Sequence, residues 1–252
     1  MQYSSLEISS IFVLFCAFAM GGILKGATGA GSPLVTIPVL AIFLDAKLAV
    51  ILMCIPNLIS NGAQIVQYKN SANSMFFSIK FALSGGIGCL AGTVVLASME
   101  TGFIEFLVGT LTLGYVLVRL LKPKKQISGS LTRILTPLVG LFGGLVQGSC
   151  GISAPVALSF LNALNLKREN FIFSISCFFF SMALVQIFMV YFFGLLTVTI
   201  VFLGILSIIP QIAFMPVGNY LIKKFSAQTF DKLILLFLII LSVKILSELI
   251  GF

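Results

Sequence analysis

Uninterrupted apolar runs recur along the whole 252-residue chain, and they approach the length of about 20 residues that a helix needs to cross a bilayer. Runs such as 200–214 and 233–243 are solid rather than alternating, which argues against a β-barrel of short alternating strands. Hydrophobic residues make up 59% of the chain and charged residues 9%, whereas soluble proteins carry about 25% charge. The sequence therefore predicts an all-α, polytopic membrane protein and excludes a soluble fold.

Charge and residue usage exclude several function classes. The chain has 15 Lys+Arg and 7 Asp+Glu, but the basic residues cluster in short loops and leave no soluble segment to bind nucleic acid. The 5 cysteines stand singly and the chain has no histidine, so we expect no disulfide framework, no zinc or haem site and no cofactor. The first 20 residues lack a basic region, and a cleaved signal peptide is not expected.

Ten apolar segments are bounded by charged or turn-forming residues, and four of them look too short to cross a membrane. The segments are 9–25, 33–44, 48–68, 75–98, 103–121, 132–147, 154–164, 170–192, 196–222 and 230–250. The four short ones would extend about 16 to 24 Å, against a hydrocarbon core of about 30 Å. They form two adjacent pairs, 9–44 and 132–164, each joined by a glycine-rich break. Each pair could be a re-entrant hairpin or one long broken helix.

The distribution of basic residues favours the re-entrant hairpin. The most basic loop, from Arg119 to Arg133 with three lysines between them, is predicted to be cytoplasmic. Later basic residues, such as Lys167 and Arg168, reach the same side only if 132–164 enters and leaves by one face. On that topology, 12 of the 15 basic residues are cytoplasmic. We therefore expect six membrane-spanning helices and two re-entrant pairs.

An internal repeat supports this arrangement. At an offset of 122 positions, six of the glycine, proline and glutamine residues of 1–121 recur in the second half. The pairs are Gly21 and Gly143, Gly22 and Gly144, Gly26 and Gly148, Gly29 and Gly151, Pro33 and Pro155, and Gln64 and Gln186. Each unit would hold one hairpin and three spans, and an odd number of crossings inverts the second copy. We expect a first repeat at 1–121, a basic cytoplasmic linker at 122–131 and a second repeat at 132–252.

The two glycine-rich breaks, 25–33 and 147–155, predict an anion-binding site. Glycine frees the backbone from helical geometry, Ser32 is expected to cap the next helix, and Pro33 and Pro155 suit a first helical turn. Each following helix would then point its unpaired N–H groups and its positive dipole end toward the middle of the membrane. The alternative is that these small residues only allow close helix packing.

The predicted substrate-binding residues belong to these breaks and to the amides of the helices that follow them. They are Lys25, Gly26, Ala27, Thr28, Gly29, Ala30, Gly31, Ser32, Asn57, Asn61, Gln64, Gly148, Ser149, Cys150, Gly151, Ile152, Ser153 and Gln186. Lys25 would neutralise an anion or, alternatively, extend toward the lipid headgroups. The amides would bind substrate or a neighbouring helix. Cys150 is expected to line the pocket rather than act as a redox thiol.

At these motifs the sequence resembles the TauE/SafE family, also called the sulfite exporter or 4-toluene sulfonate uptake permease group. The Gly-x-x-Gly-x-Gly-Ser-Pro motif at 26–33, Ala-Val at 49–50 and Asn-x-x-Gln at 61–64 match the family pattern. The second half departs from it, with Ser-Ala at 153–154 and with Ala183 where asparagine is usual. The resemblance implies transport of sulfite, or of organosulfonates such as sulfoacetate, by a multi-pass protein of a bacterial inner membrane.

The acidic residues bear on how transport is driven. No Asp or Glu falls at the middle of a predicted span, so an obvious proton relay is absent. Export of one negative charge from a cell that is negative inside releases about 2.3 kcal/mol per 100 mV, which favours electrogenic export by alternating access. An anion channel or an uptake permease for another small organic anion is the alternative. An enzyme or an assembly subunit is disfavoured, and a homo-oligomer stays open.

Overall fold

The described part of the chain is entirely helical. The computed structural model describes residues 8–71, 75–121, 127, 129–224 and 227–251. The helices are α1 (Ile8–Thr28), α2 (Ser32–Phe43), α3 (Ala46–Tyr68), α4 (Met75–Ser98), α5 (Thr101–Leu121), α6 (Ser130–Cys150), α7 (Ala154–Ala163), α8 (Arg168–Phe192), α9 (Val198–Lys224) and α10 (Ala227–Ile250), with a 3-10 turn at Lys69–Ser71. The lysines of the predicted basic loop, Lys122, Lys124 and Lys125, lie outside the described residues.

The lengths of these helices fit a membrane protein. Within the described residues, 7 helices are long and apolar enough to cross a bilayer, namely α1, α3, α4, α5, α6, α8 and α9. Helix α10 has 24 residues, whereas α2 and α7 have only 12 and 10. The prediction of a polytopic, all-helical membrane protein is confirmed.

The two glycine-rich breaks are shorter than the sequence suggested. Segments 9–25 and 132–147 were expected to be too short to span, and this is wrong, because α1 and α6 each have 21 residues. Both helices continue into the glycine motif, and only 29–31 and 151–153 leave helical geometry. Length alone therefore permits α1 and α6 to cross the membrane.

The start of α2 differs from the expectation that Ser32 caps it. Gly31 occupies the N-cap position with a φ of 86°, in the left-handed region that favours glycine, and no side chain caps the helix. Ser32 is already helical, so its hydroxyl is free to bond elsewhere. Pro33 and Pro155 do lie in the first turns of α2 and α7, as predicted.

Glycines allow two helix pairs to pack with their backbones in direct contact. Helix α1 packs against α9, and α6 packs against α4. A Cβ atom at Gly26 would overlap the carbonyl oxygen of Met215, and one at Gly88 would overlap that of Leu141. Gly26, the first glycine of the motif at 26–33, therefore allows close packing of α1 against α9.

We expect Gly88→Ala to destabilise the α4–α6 pair. The added methyl group meets a backbone carbonyl that no rotamer change can move, and overpacking of this kind costs about 1–3 kcal/mol. Thermal unfolding of the purified protein in detergent measures the loss. Gly114→Ala is the matched control on α5, since a Cβ there meets no atom within 4 Å. An equal effect of both substitutions would contradict the packing argument.

Candidate functional site

Each glycine-rich break packs against the half of the chain that does not contain it. A Cβ at Gly29 would lie 2.8 Å from Cγ1 of Ile172 on α8, and one at Gly151 would overlap the side chain of Ile37 on α2. Helices α3 and α8 pack against each other between the two halves. Both breaks therefore lie at the contact between the halves, where the sequence placed the site.

One face of α3 carries a stripe of buried polar side chains. Asn57, Ser60, Asn61 and Gln64 follow the spacing of a single helical face, and each is at most 5% exposed. Three of them were predicted from the sequence, and Ser60 was not. Polar groups buried in a membrane protein need partners, so the contacts of this stripe define what surrounds the first break.

Lys25 is completely buried among these polar groups. Its side chain is 1% exposed, and Nζ donates a hydrogen bond to Oδ1 of Asn61 at 2.7 Å. Nδ2 of Asn61 donates in turn to Oδ1 of Asn57 at 2.7 Å. The alternative that Lys25 extends to the lipid headgroups is wrong, because its ammonium group lies inside the protein.

No carboxylate balances this ammonium group. Within the described ranges, Lys25 is the only charged side chain that is fully buried, and every Asp and Glu is at least partly exposed. Neither of the ion pairs formed by described residues includes Lys25. Burying a charge without a counter-charge is costly, and an anionic ligand would offset that cost.

The predicted glutamines hold the breaks in place. Nε2 of Gln64 donates to the carbonyl oxygen of Gly29 at 3.0 Å, and its Oε1 accepts from the Ser176 hydroxyl at 3.1 Å. Nε2 of Gln186 donates to the carbonyl oxygen of Gly148 at 3.1 Å. Both amides thus bond the backbone of the break in their own repeat, and Gln64 also joins that break to α8.

Several polar groups of the second break are hydrogen-bonded within that break. Oε1 of Gln147 accepts from the backbone N–H of Ser153 at 3.3 Å and from its hydroxyl at 2.8 Å. The Ser149 hydroxyl and the Cys150 thiol both donate to the carbonyl oxygen of Val146. The sequence did not single out Gln147, which stands at the repeat position of Lys25. At the N-terminus of α7, the neutral amide of Gln147 thus accepts the hydrogen bond of the Ser153 N–H group.

The N-terminus of α2, at the first break, is open by comparison. The Thr28 hydroxyl donates a hydrogen bond to the carbonyl oxygen of Leu24 at 2.8 Å. The N–H groups of Gly31 and Ser32 have no acceptor among the described residues. These two N–H groups carry the positive end of the α2 dipole, and such groups bind anions. The first break therefore keeps two N–H groups for an anion, whereas Gln147 occupies the N–H group of Ser153 at the second.

Gln211 is a site residue that the sequence analysis missed. It lies on α9 and is 0% exposed, and its Nε2 donates to the hydroxyl oxygens of Ser32 at 3.0 Å and Ser60 at 3.4 Å. Its Oε1 has no hydrogen-bond partner among the described atoms. An amide within an apolar segment was the available signal. The repeat did not reveal it, because Cys89 stands at the matching position.

The predicted residues thus form two groups. The first surrounds Lys25 and the start of α2, and the second surrounds Gln147 and the start of α7. Among the described residues, no hydrogen bond joins the predicted residues of one break to those of the other. The residues that the structure describes contain no cluster of three or more His, Cys, Asp or Glu side chains that could hold a metal ion.

Comparison with known proteins gives one match. The family described as Sulfite exporter TauE/SafE matches residues 13–245, which is most of the chain. No curated protein and no solved structure matches the chain. The matched range includes both breaks and every predicted site residue.

Proposed function

The chain belongs to the sulfite exporter TauE/SafE family, and we propose that it is a secondary transporter of sulfite or of small organosulfonates such as sulfoacetate. The observation that carries this proposal is the fully buried ammonium group of Lys25, which has no carboxylate partner among the described residues. A small anion next to Lys25 would supply the missing counter-charge. Membership of the family supports this substrate class, and the buried ammonium group supports a negative charge on the substrate.

The substrate binds at the first break in this proposal. The N–H groups of Gly31 and Ser32 and the ammonium group of Lys25 supply positive charge. Asn57 and Asn61 hold Lys25 in position through the hydrogen bonds described above. Fixed donors of this kind bind a sulfur oxyanion without first having to reorganise. The second break, where Gln147 occupies the N–H group of Ser153, contributes shape rather than charge.

We propose that the chain consists of two inverted repeats, each with a re-entrant pair. Helix starts support the repeat, since Ala154 and Arg168 lie 122 positions after Ser32 and Ala46. Packing supports it too, because the α1–α9 pair corresponds to the α6–α4 pair. Short helices that meet near the middle of the membrane are a known arrangement in inverted-repeat transporters. The basic loop at 122–131 then faces the cytoplasm of a bacterial cell.

The proposed mechanism is electrogenic export by alternating access. The unit of α1, α2, α3 and α9 rocks against the equivalent unit of α6, α7, α8 and α4 along the α3–α8 contact and exposes the anion to one side at a time. Every described carboxylate is at least partly exposed, which leaves no buried acid to carry a proton with the substrate. The membrane potential supplies about 2.3 kcal/mol per 100 mV for each negative charge that leaves the cell.

Flux measurements in proteoliposomes test this function. Purified protein is reconstituted, and uptake of radiolabelled sulfite is followed with an imposed potential of either sign. Sulfate and sulfoacetate serve as competitors, and Gly29→Leu serves as the inactive control. We expect saturable flux that reverses direction with the potential.

Other outcomes would overturn separate parts of the proposal. Conductance without saturable counterflow would indicate a channel. A requirement for a proton or sodium gradient at zero potential would exclude potential-driven export. The absence of flux with any sulfur anion, in a protein that is still folded, would exclude the substrate class.

A further inference from the structure

At the first break, the side-chain oxygen of Gln211 is a hydrogen-bond acceptor without a donor in the described part of the chain. A site that only binds negative charge does not need such an acceptor. Gln211 is 0% exposed and reaches the start of α2 through the hydrogen bond from its Nε2 to the Ser32 hydroxyl, at 3.0 Å. Its Oε1 is an acceptor without a donor among the described atoms. A buried carbonyl oxygen without a donor is unfavourable, so a ligand that donates a hydrogen bond there is favoured.

Gln211 and Lys25 reach neighbouring positions on α3. Gln211 contacts the hydroxyl of Ser60 at 3.4 Å, and Lys25 contacts the amide oxygen of Asn61 at 2.7 Å. The backbone of Gln211 also lies directly against Gly22 on α1, one helical turn before Lys25. The acceptor on Gln211 and the ammonium group of Lys25 therefore belong to one enclosure, formed by α1, α2, α3 and α9.

The charge of this enclosure limits the charge of its ligand. Lys25 supplies one positive charge, and α2 has no charged residue. The charged residues on the other helices of this enclosure are Lys47, at the start of α3, and Lys223 and Lys224, at the end of α9. One ammonium group balances one negative charge. A dianion would leave a second charge buried and unpaired, at a cost of several kcal/mol.

From these two features we infer that the site selects a monoanion that carries a proton on one oxygen. For sulfite, this is hydrogen sulfite in its hydroxyl form, with its O–H group donating to Oε1 of Gln211 and its charge facing Lys25. The sulfite dianion fails both requirements. Sulfoacetate, with a sulfonate and a carboxylate group, also fails the charge requirement, whereas a monosulfonate such as methanesulfonate meets the charge requirement alone. This inference rests on the proposed transport function, and it specifies which protonation state is carried.

A comparison of sulfite with methanesulfonate tests the selection. Methanesulfonate keeps a single negative charge and no proton on either side of neutral pH, so its pH profile reports titration of the protein alone. Uptake of each anion is measured at zero potential in proteoliposomes that contain the wild-type chain. The ratio of the two apparent affinities then isolates the protonation of sulfite.

We expect this ratio to fall by about tenfold for each pH unit above the pKa of hydrogen sulfite. A flat ratio would show that the dianion is carried equally well, and it would overturn the inference while leaving the transport function in place. Uptake of neither anion would instead overturn the transport function itself. The two failures are therefore distinguishable without any variant.

The role of Gln211 has its own test at a pH where hydrogen sulfite predominates. Gln211→Leu removes the acceptor, and we expect the preference for hydrogen sulfite over methanesulfonate to fall by about tenfold, the value of one buried hydrogen bond. Gln67→Leu is the matched control, because Gln67 is an exposed glutamine on α3. An unchanged preference in a Gln211→Leu protein that still carries methanesulfonate would overturn the assignment of Gln211.

Discussion

Lys25→Met is expected to lower sulfite flux by at least about 100-fold. Methionine keeps an unbranched apolar side chain of similar length but removes the only charged group that is fully buried in the described residues. Removing one member of a buried ion pair costs about 3 kcal/mol or more, and each 1.4 kcal/mol corresponds to about a tenfold change in affinity. Saturable sulfite counterflow in proteoliposomes measures the loss.

Stability should respond to the same substitution in the opposite direction. Without substrate, the Lys25 ammonium group is buried with only the Asn61 amide oxygen as a partner among the described residues, so its removal should leave thermal unfolding in detergent unchanged or raise its midpoint. Lys69→Met, at an exposed lysine after α3, should change neither flux nor stability. Wild-type flux in Lys25→Met would refute the role of Lys25 as the counter-charge of the substrate.

The sequence was sufficient to locate most of the helices. The predicted segments 48–68 and 75–98 correspond closely to α3 and α4, because solid apolar runs bounded by polar residues leave few alternatives in a bilayer. The ends of α1 and α6 could not be read in the same way. Glycine is a poor helix former in isolation, yet Gly26 and Gly148 are helical here. At Gly26, the reason is the close approach of α9, which is a tertiary contact.

The sequence could predict which residues of the candidate site are polar and buried, but not which partners they bond. Asn57, Asn61 and Gln64 stand out because amides inside an apolar span require partners. The identity of each partner depends on which helices pack together, and no local pattern contains that information. Gln211 is separated from Ser32 by 179 positions, yet it bonds to Ser32. For the same reason, the sequence could not show that Gln147 satisfies the start of α7.

Gly29→Ala is the second substitution with a large expected effect. Gly29 has a φ of 81°, where any side chain adds about 1–2 kcal/mol of strain. A Cβ would also lie 2.8 Å from Cγ1 of Ile172, and overpacking adds about 1–3 kcal/mol. We expect a lower midpoint of thermal unfolding and a loss of most of the flux, because the start of α2 and its N–H groups would be displaced.

Two further variants separate the strain from the clash. Gly194→Ala, after α8, introduces similar strain, since Gly194 has a φ of 68°, but a Cβ there meets no atom within 4 Å. It should lower stability by the strain alone and leave flux intact. Ile172→Ala in the Gly29→Ala background removes the clash. The double variant should regain the stability that Gly29→Ala loses in excess of Gly194→Ala. If flux returns together with stability, the contact of the first break with α8 positions the binding site. If stability returns without flux, the backbone geometry at Gly29 is required by itself.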